Sequence, residues 1–463
     1  MESGAMTGHK RYTTVAGLGA TGLACVRHLR RQGVPVVVVD SRERPPQLSA
    51  LQAEHPEVPV VLGGLDGEVL RAAERIVISP GLDSRQPPFA QLQAAGQPIC
   101  GELELFAAAV PEGVTVAAVT GSNGKSTVVT LVAEMARAAG RRVAVGGNLG
   151  TPTLDLLAAD PVADLFVLEV SSFQLEACPA FCPQIGAVLN VSPDHLDRYD
   201  GIEAYTAAKA RLLEGVEVAI INADDPRVRR MGETARSRRY FSVAGVHGGT
   251  VGPASDYATR TIDGEPSLSL DGEARLAVRE LALTGVVGQA NALAAMAVAD
   301  ACELPIAAQQ AVLRRFRGLP HRMERIGEWH EVAWINDSKA TNVGAAVAAL
   351  AGVGRPAVLI AGGQGKGGDF RPLAEACERY ARAVILIGED ASAIEAALAG
   401  RVPTECASGM EQAVVQAAAR AQPGDCVLLA PACASFDAFS GFEQRGARFR
   451  QAVLDVVGEV MHG

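Results

Sequence analysis

Thr120-Gly121-Ser122-Asn123-Gly124-Lys125-Ser126-Thr127 follows the apolar run Val114 to Val119 and precedes a helical pattern that continues to about Gly140. Strand, glycine-rich turn and helix in that order are the setting of a phosphate-binding loop. Glycine lets the backbone approach an anion closely, and the free N–H groups of Gly121, Ser122, Asn123, Gly124 and Thr127 at the helix start can face phosphate oxygens. Lys125 adds a point charge for the outer phosphates, and the Ser126 hydroxyl can ligate Mg²⁺. ATP is therefore the expected cofactor. The general pattern has glycine five places before Gly124, where this chain has Val119.

Outward from this loop, short apolar runs alternate with helical patterns along nearly the whole chain. Val34–Val39, Arg75–Ile78, Arg142–Val145, Leu165–Val170, Gly186–Val191, Val216–Ile221, Ala357–Ile360, Ala383–Ile387 and Cys426–Leu429 are the clearest. Such alternation predicts an α/β fold with mostly parallel sheets. Three domains fit the punctuation: residues 1–107, ending before Pro111-Glu112-Gly113; 108–318, carrying the phosphate loop and ending at Gly318; and 319–463. Val243 to Arg279 reads as short strands and turns.

Composition narrows the function. The chain has 463 residues, 48% hydrophobic, with a formal net charge of −10. It has no basic run, so nucleic acid is not an expected partner, and anionic ligands must be held by local basic pockets. The nine cysteines include no C-x-x-C pair. Reduced thiols and a cytoplasmic location are expected, with Cys178 and Cys182 as buried thiols. No apolar stretch reaches membrane-spanning length, and Met1 to Lys10 lacks a signal-peptide core.

Several further motifs stand at strand ends, where open α/β sheets bind ligands. Gly17-Leu18-Gly19-Ala20-Thr21-Gly22 matches G-x-G-x-x-G, with Asp40 about 20 residues on as a ribose-binding acid. The motif fits any diphosphate, whether of a dinucleotide or of a UDP-sugar. Ser79-Pro80-Gly81 ends another strand nearby. Glu169 interrupts a buried-strand pattern and could share Mg²⁺ with Ser126; otherwise it is a solvated strand-end carboxylate. Asp194-His195 follows a strand, His195 as a possible metal ligand and Asp194 orienting nearby groups. Lys209 lies among small residues on the next helix, able to approach a crowded site. Arg322 could clamp a phosphate. Asn336-Asp337-Ser338-Lys339-Ala340-Thr341-Asn342 is either an anion site or a helix cap made by Asp337 or Ser338. Gly362–Asp369 reads as a mobile or phosphate-binding loop. Cys433, in Pro431–Ser435, lacks a partner histidine and reads as structural. Phe442 opens the final helix pattern.

In this order the motifs resemble the ATP-dependent Mur ligases of peptidoglycan synthesis. The resemblance covers essentially the whole chain and is most specific at Thr120–Thr127, Gly146–Gly150, Glu169–Leu175, Ser192–Tyr199, His321-Arg322 and Asn336–Asn342. It implies three α/β domains: a Rossmann-like N-terminal domain, a central domain of P-loop ATPase type and a Rossmann-like C-terminal domain. Asn336–Asn342 with Pro431–Ser435 favours the members that add D-glutamate to UDP-N-acetylmuramoyl-L-alanine. The Asp-Asn-Pro-Arg motif of the diaminopimelate-adding members is absent from the C-terminal third; Asp224-Asp225-Pro226-Arg227 lies in the middle one.

The resemblance also implies an acyl-phosphate mechanism, two Mg²⁺ ions and a monomer without membrane insertion. Gly19, Ala20, Thr21, Asp40, Ser41, Arg42, Ser79, Pro80, Gly81 and Asn148 would hold the UDP-substrate. Asn291, Arg322, Asp337 and Lys339 would join the phosphate loop on ATP. Thr341, Lys366, Ser435 and Phe442 would line the D-glutamate region. Lys125, Glu169, His195 and Lys209 would be catalytic, with Ser126, Glu169, His195 and a carbamylated Lys209 around the metal ions. One departure stands out: the family's His-Asn pair before Asn291 is Val287-Gly288 here, which bears on adenine contacts, with Gln289 as a candidate substitute.

Overall fold

The computed structural model describes residues 12–196, 198–244, 256–365 and 367–462. Its strands form three sheets. The first holds β1 (Thr13–Ala16), β2 (Val36–Asp40), β3 (Val60–Leu62), β4 (Arg75–Ile78) and β5 (Ile99–Cys100) in the order β3-β2-β1-β4-β5. All its pairings are parallel. The order reverses beside β1, so the Gly17–Gly22 turn opens at a topological switch point. Gly22 is demanded by packing: a Cβ there would lie 1.9 Å from the Gly17 carbonyl oxygen.

The second sheet holds β6 (Thr115–Thr120), β7 (Val143–Gly147), β8 (Leu165–Glu169), β9 (Ile185–Val188), β10 (Val218–Asn222), β11 (Ser237–Ser242), β12 (Tyr257–Ile262), β13 (Glu265–Leu270) and β14 (Glu273–Ala277). Their order is β14-β13-β12-β11-β10-β9-β6-β8-β7. It is parallel from β7 to β12 and antiparallel through the β12–β14 meander, which accounts for the short strands expected after Val243. β8 is buried along its length and β6 from Val116 onward. The helix Lys125–Ala138 buries Val128, Leu131, Val132 and Met135 against this sheet and the helices Gly285–Ala301 and Ile306–Arg315.

The third sheet holds β15 (Glu324–Trp329), β16 (Val332–Asn336), β17 (Ala357–Gly362), β18 (Ala381–Ile387), β19 (Thr404–Cys406) and β20 (Cys426–Leu429), ordered β15-β16-β20-β17-β18-β19. Only β15 runs antiparallel. The last helix, Phe442–His462, closes over it. The α/β fold class with mostly parallel sheets is therefore the one expected.

Packing does not break where the first sheet ends. The helix Glu102–Ala109 shares one apolar core with residues of both the first and second sheets, and Phe106 meets Phe166 edge-on at 5.2 Å. The buried Glu102 carboxylate accepts from the Leu154 N–H at 2.9 Å. All nine cysteines are free; Cys178 is buried, but Cys182 is exposed. Cys182 sits in the turn before β9, where the chain surfaces between the helix Ser172–Glu176 and the sheet. Among the described residues no helix is long and apolar enough to cross a membrane.

Candidate active site

The site grows from the carboxyl ends of β6, β8 and β9, which lie side by side. β6 delivers the phosphate loop, and Gly124 caps the helix in the left-handed region at φ 86°. A Cβ there would fall 2.5 Å from the Asn291 Oδ1, so glycine lets Asn291 press on the loop. The apolar run expected as a strand to Val191 ends instead at Val188. The next residues leave the sheet to cradle the loop. Ser122 N–H donates to the Asn190 carbonyl (2.9 Å), Asn123 N–H to the Asn190 side chain (2.8 Å), and Ser192 N–H to the Ser122 hydroxyl (3.0 Å).

β8 ends at Glu169, buried and beside the Ser126 hydroxyl, which donates to it. The Asn148 amide donates to the other carboxylate oxygen at 2.8 Å. Burial opposes ionisation of Glu169, but Lys125 and these two hydrogen bonds outweigh it and hold the carboxyl below its ordinary range. Asn148 therefore belongs structurally to the Glu169 cluster, not to the glycine turn of the first sheet.

Two lysines converge on one carbonyl. Lys125 and Lys209 both donate to the Gly121 oxygen, at 2.8 and 3.0 Å. Lys209 is 1% exposed and lies over the Tyr205 ring at 4.5 Å. Burial and the neighbouring Lys125 charge drive its pKa well down, against the weaker pull of Asp194 and Glu169. A buried amine so placed is readily neutral, the form that can act as a nucleophile.

His195 stands in the left-handed region, φ 55°, with its ring edge-on to Phe173 at 4.8 Å and its Nε2 3.8 Å from Asp194. Asp194 in turn accepts from Asn342 at 2.9 Å. Among the described residues no three histidine, cysteine or acidic side chains gather as a ready metal cage. The Ser126 hydroxyl and Glu169 carboxylate are nonetheless hard oxygen donors of the kind Mg²⁺ takes, since that ion keeps waters and phosphates as its other ligands.

The third sheet approaches from the other side. Arg322 donates to the Ser126 hydroxyl at 2.7 Å. Asp337 follows β16, and burial raises its carboxyl to about 7. Lys339 lies 3.9 Å over the Phe442 ring; burial, with Arg322 and Lys125 nearby, lowers it to about 8. Thr341 follows closely, its N–H bonded to the Lys339 carbonyl at 2.8 Å. The helix cap is neither Asp337 nor Ser338. Asn342 caps the helix Val343–Gly352, accepting from the Ala345 N–H at 2.8 Å, because the chain turns away from β16 before it coils. Ser435 is buried, and the guanidinium of the 1%-exposed Arg445 ties the two loops together through Ser338, Cys433 and Ala434. Cys433 is accordingly structural. Lys366 lies outside the described residues.

The Gly19-Ala20-Thr21 turn stays with the first sheet. Asp40 ends β2 but does not present a free carboxylate for a ribose. One oxygen accepts the Leu18 N–H at 2.6 Å, and both are forked by Arg42. Burial pushes its pKa up, but these donors overcome it and hold it at about 2. It braces the glycine turn through Leu18 and holds the exposed Arg42, beside Ser41, at the end of β2. The Ser79 hydroxyl donates to the Gly17 carbonyl at 2.8 Å, so Ser79-Pro80-Gly81 flanks the same turn. Gln289, the candidate substitute for an adenine contact, accepts instead from Thr259 at 3.1 Å. Gly288 has tight quarters, with the Leu283 backbone 3.0 Å from a built Cβ.

The sequence matches the family of Mur ligase MurD-like N-terminal domains over residues 11–101, Mur ligase middle domains over 119–299 and Mur ligase glutamate ligase domains over 321–433. The chain belongs to the Mur ligase family. It is 46% identical over 447 residues to the UDP-N-acetylmuramoylalanine–D-glutamate ligase of Nitrosococcus oceani, covering 96% of this chain and 97% of that protein. The enzyme of the same name from Pseudomonas aeruginosa is 45% identical over 449 residues, covering 96% and 98%. Among solved structures, the pseudomurein peptide ligase type C of Methanothermus fervidus superposes with a TM-score of 0.60 at 19% identity, covering 96% of this chain and all of that one. The UDP-N-acetylmuramate-alanine ligase of Thermotoga maritima gives 0.59 at 16%, covering 96% and 99%. At such identities these two bear on the fold.

Some residues of this Mur ligase site escape motif reading. Tyr205 precedes Lys209 by one helical turn, so the two share a face; that spacing was the available signal. Asn190 is hidden inside an apolar run. Arg198 and Asn342 lie within the Ser192–Tyr199 and Asn336–Asn342 motifs, but their partners across the sheets, like those of Arg445, are beyond the reach of sequence spacing.

Proposed function

We propose that this Mur ligase joins D-glutamate to UDP-N-acetylmuramoyl-L-alanine at the expense of ATP, in cytoplasmic peptidoglycan precursor synthesis. The observation that carries the reading is the meeting of Arg322 with Ser126: the loop that would hold ATP and the loops that would hold the acceptor face one another. The near-full-length likeness to D-glutamate ligases supports the choice of acceptor.

The UDP-substrate carboxylate attacks the γ-phosphorus of ATP; ADP leaves and an acyl phosphate forms. The D-glutamate amine then attacks that carbonyl: the C–N bond forms, the acyl C–O bond breaks with its electron pair going to the departing inorganic phosphate, and the nitrogen loses a proton. The first-turn N–H groups from Gly124 to Thr127 hold the phosphates, those of Ser122 and Asn123 being committed to Asn190, and Lys125 and Arg322 offset charge growing on the transferring group. Asn291 braces the loop. Asp337 and Lys339 contact ATP, while Thr341, Ser435 and Phe442 line the acceptor region. Ser126 and Glu169 would hold one Mg²⁺, with His195 and carbamylated Lys209 at a second; bound there, Mg²⁺ neutralises phosphoryl oxygens. The lowered pKa of Lys209 supports the carbamate, because CO₂ adds to a neutral amine. Gly19–Thr21, Ser41, Arg42 and Ser79–Gly81 seat the UDP-diphosphate, and Asn148 reaches the substrate from beside Glu169.

Phosphate release from ATP with UDP-N-acetylmuramoyl-L-alanine tests this against D-glutamate, L-glutamate, meso-diaminopimelate and L-lysine. Release with D-glutamate alone is expected. Robust turnover with another amino acid and none with D-glutamate would refute the acceptor assignment.

A further inference from the structure

The first and second sheets touch near the site through two interlocked arginines, Arg198 and Arg85, to which the motif readings assign no role. Arg198 follows His195 in the same loop and its backbone N–H bonds the His195 carbonyl at 3.0 Å. Its guanidinium crosses to the other sheet. Nη1 donates to the Pro80 carbonyl at 2.9 Å, and Nη2 to the Leu82 carbonyl at 3.2 Å and to Glu176 at 2.9 Å. The Arg198 and Glu176 side chains are 12% and 11% exposed. The Arg198 plane also covers the Phe173 ring at 4.1 Å, and Phe173 is the ring that meets His195 edge-on.

Arg85 makes the reverse crossing. Held by Asp83 at 2.9–3.0 Å, it donates to the Arg198 carbonyl and lies over the Tyr199 ring at 5.2 Å. Tyr199 packs on Tyr205 at 5.2 Å, the ring beneath Lys209. Each arginine thus grips the loop of the other sheet and rests on an aromatic ring that leads to a site side chain. A planar fork with five donors suits this; a lysine cannot reproduce it. The 79–82 loop is fixed to the glycine turn through Ser79.

We infer that Arg198 and Arg85 are positioning residues that transmit occupancy of the UDP-diphosphate seat to His195 and Lys209. The inference rests on the reading of Gly17–Gly22 and Ser79–Gly81 as that seat. A ligand that pulls on the 79–82 loop moves the Arg198 guanidinium, and Phe173 then shifts His195. Surface ion pairs hold domains together weakly; here Arg198 is mostly buried while Arg85 is exposed, and both are stacked on rings and aimed at backbone, so they set position as well as contact.

The test uses Arg198→Lys, Arg198→Met and Arg85→Met, with thermal unfolding to verify folding. In the phosphate-release assay kcat should fall by about 100-fold in Arg198→Met, as expected for misplacement of reacting groups. KM for ATP should change little. In histidine-labelled protein, the His195 resonance, assigned by its loss in His195→Gln, should move on adding UDP to the wild type and stay put in both Arg198 variants. No movement in the wild type, or equal movement in folded Arg198→Lys, overturns the inference. If the wild type releases no phosphate with any acceptor, the ligase reading fails, and the UDP-dependent resonance still decides the relay.

Discussion

Asn342→Asp isolates the joint between the second and third sheets. Asn342 does two jobs with one amide. Its oxygen caps the helix Val343–Gly352, and its nitrogen donates to Asp194 at 2.9 Å. Aspartate caps a helix as well as asparagine, so the helix survives while the crossing contact becomes carboxylate against carboxylate. Two unit charges 2.9 Å apart in an effective dielectric of about 20 repel by roughly 6 kcal/mol. The Asp194 side chain is 20% exposed, and one carboxyl can take up a proton, so about 2–4 kcal/mol is the realistic penalty. The joined arrangement should then lose a factor of about 30 to 700.

The assay is kcat/KM for ATP in phosphate release at pH 8, beside Asn342→Ser, which keeps a cap without the charge. Asn342→Asp should fall by that factor and Asn342→Ser by much less. The deficit of Asn342→Asp should shrink as pH falls, because the paired carboxyls share a proton with a raised macroscopic pKa. A folded Asn342→Asp protein within about threefold of wild type, with an unchanged pH profile, would show that Asn342 and Asp194 need not meet during turnover.

Lys209→Ala should abolish phosphate release, and acetate should restore part of it if the lysine works as a carbamate; full activity without acetate would remove that role. Asp337 sits at about 7, above its unfolded value, so its effect on stability is favourable below pH 4 and is lost as pH rises through 7. Asp337→Asn should therefore stabilise the protein relative to wild type in urea unfolding by a margin that grows over that window, up to roughly 4 kcal/mol at the limit; a margin independent of pH would contradict the burial. Gly124→Ala combines a left-handed backbone cost of about 1–2 kcal/mol with a contact 2.5 Å from Asn291, and should raise KM for ATP at least tenfold while the UDP-substrate KM holds, as measured by initial rates. Phe106→Ala should cost about 3–5 kcal/mol in urea unfolding, since that ring joins the cores of the first two sheets; a loss under about 1 kcal/mol would mean the sheets are stabilised separately.

What was legible from residues alone was whatever is local. The phosphate loop, Glu169 and the two glycine turns all lie at the end of an apolar strand, and period and punctuation locate strands. Where sequence and structure part, the cause is the same: neighbours in space decide what a residue does. Asp40 looks like a ribose ligand until Leu18 and Arg42 take both oxygens. Asp337 and Ser338 look like caps until the turn places Asn342 there. Leu189 to Val191 looks like strand, because an apolar run does not reveal that its backbone has turned to hold the phosphate loop. Arg198 and Arg85 lie 113 residues apart, and nothing in a linear pattern relates them.

The charge distribution explains why an acidic chain can take a triphosphate. Lys125, Lys209, Arg322 and Lys339 converge where burial lowers every one of their pKa values. Against them stand Glu169, held ionised, and Asp337, which burial keeps near 7. Asp194 and Glu443 also pull on these cations, and the protein still bears the desolvation of the buried positive groups. An anion entering this space relieves it, and more so as negative charge gathers on the transferring phosphoryl group, which is the condition for catalysis rather than mere binding. Lys209 is the exception that fits. A second ammonium on the Gly121 carbonyl would add to the strain, whereas a carbamate at the same nitrogen would cancel a charge and provide a hard oxygen ligand. The same geometry that makes Lys209 costly as a cation makes it reactive as an amine.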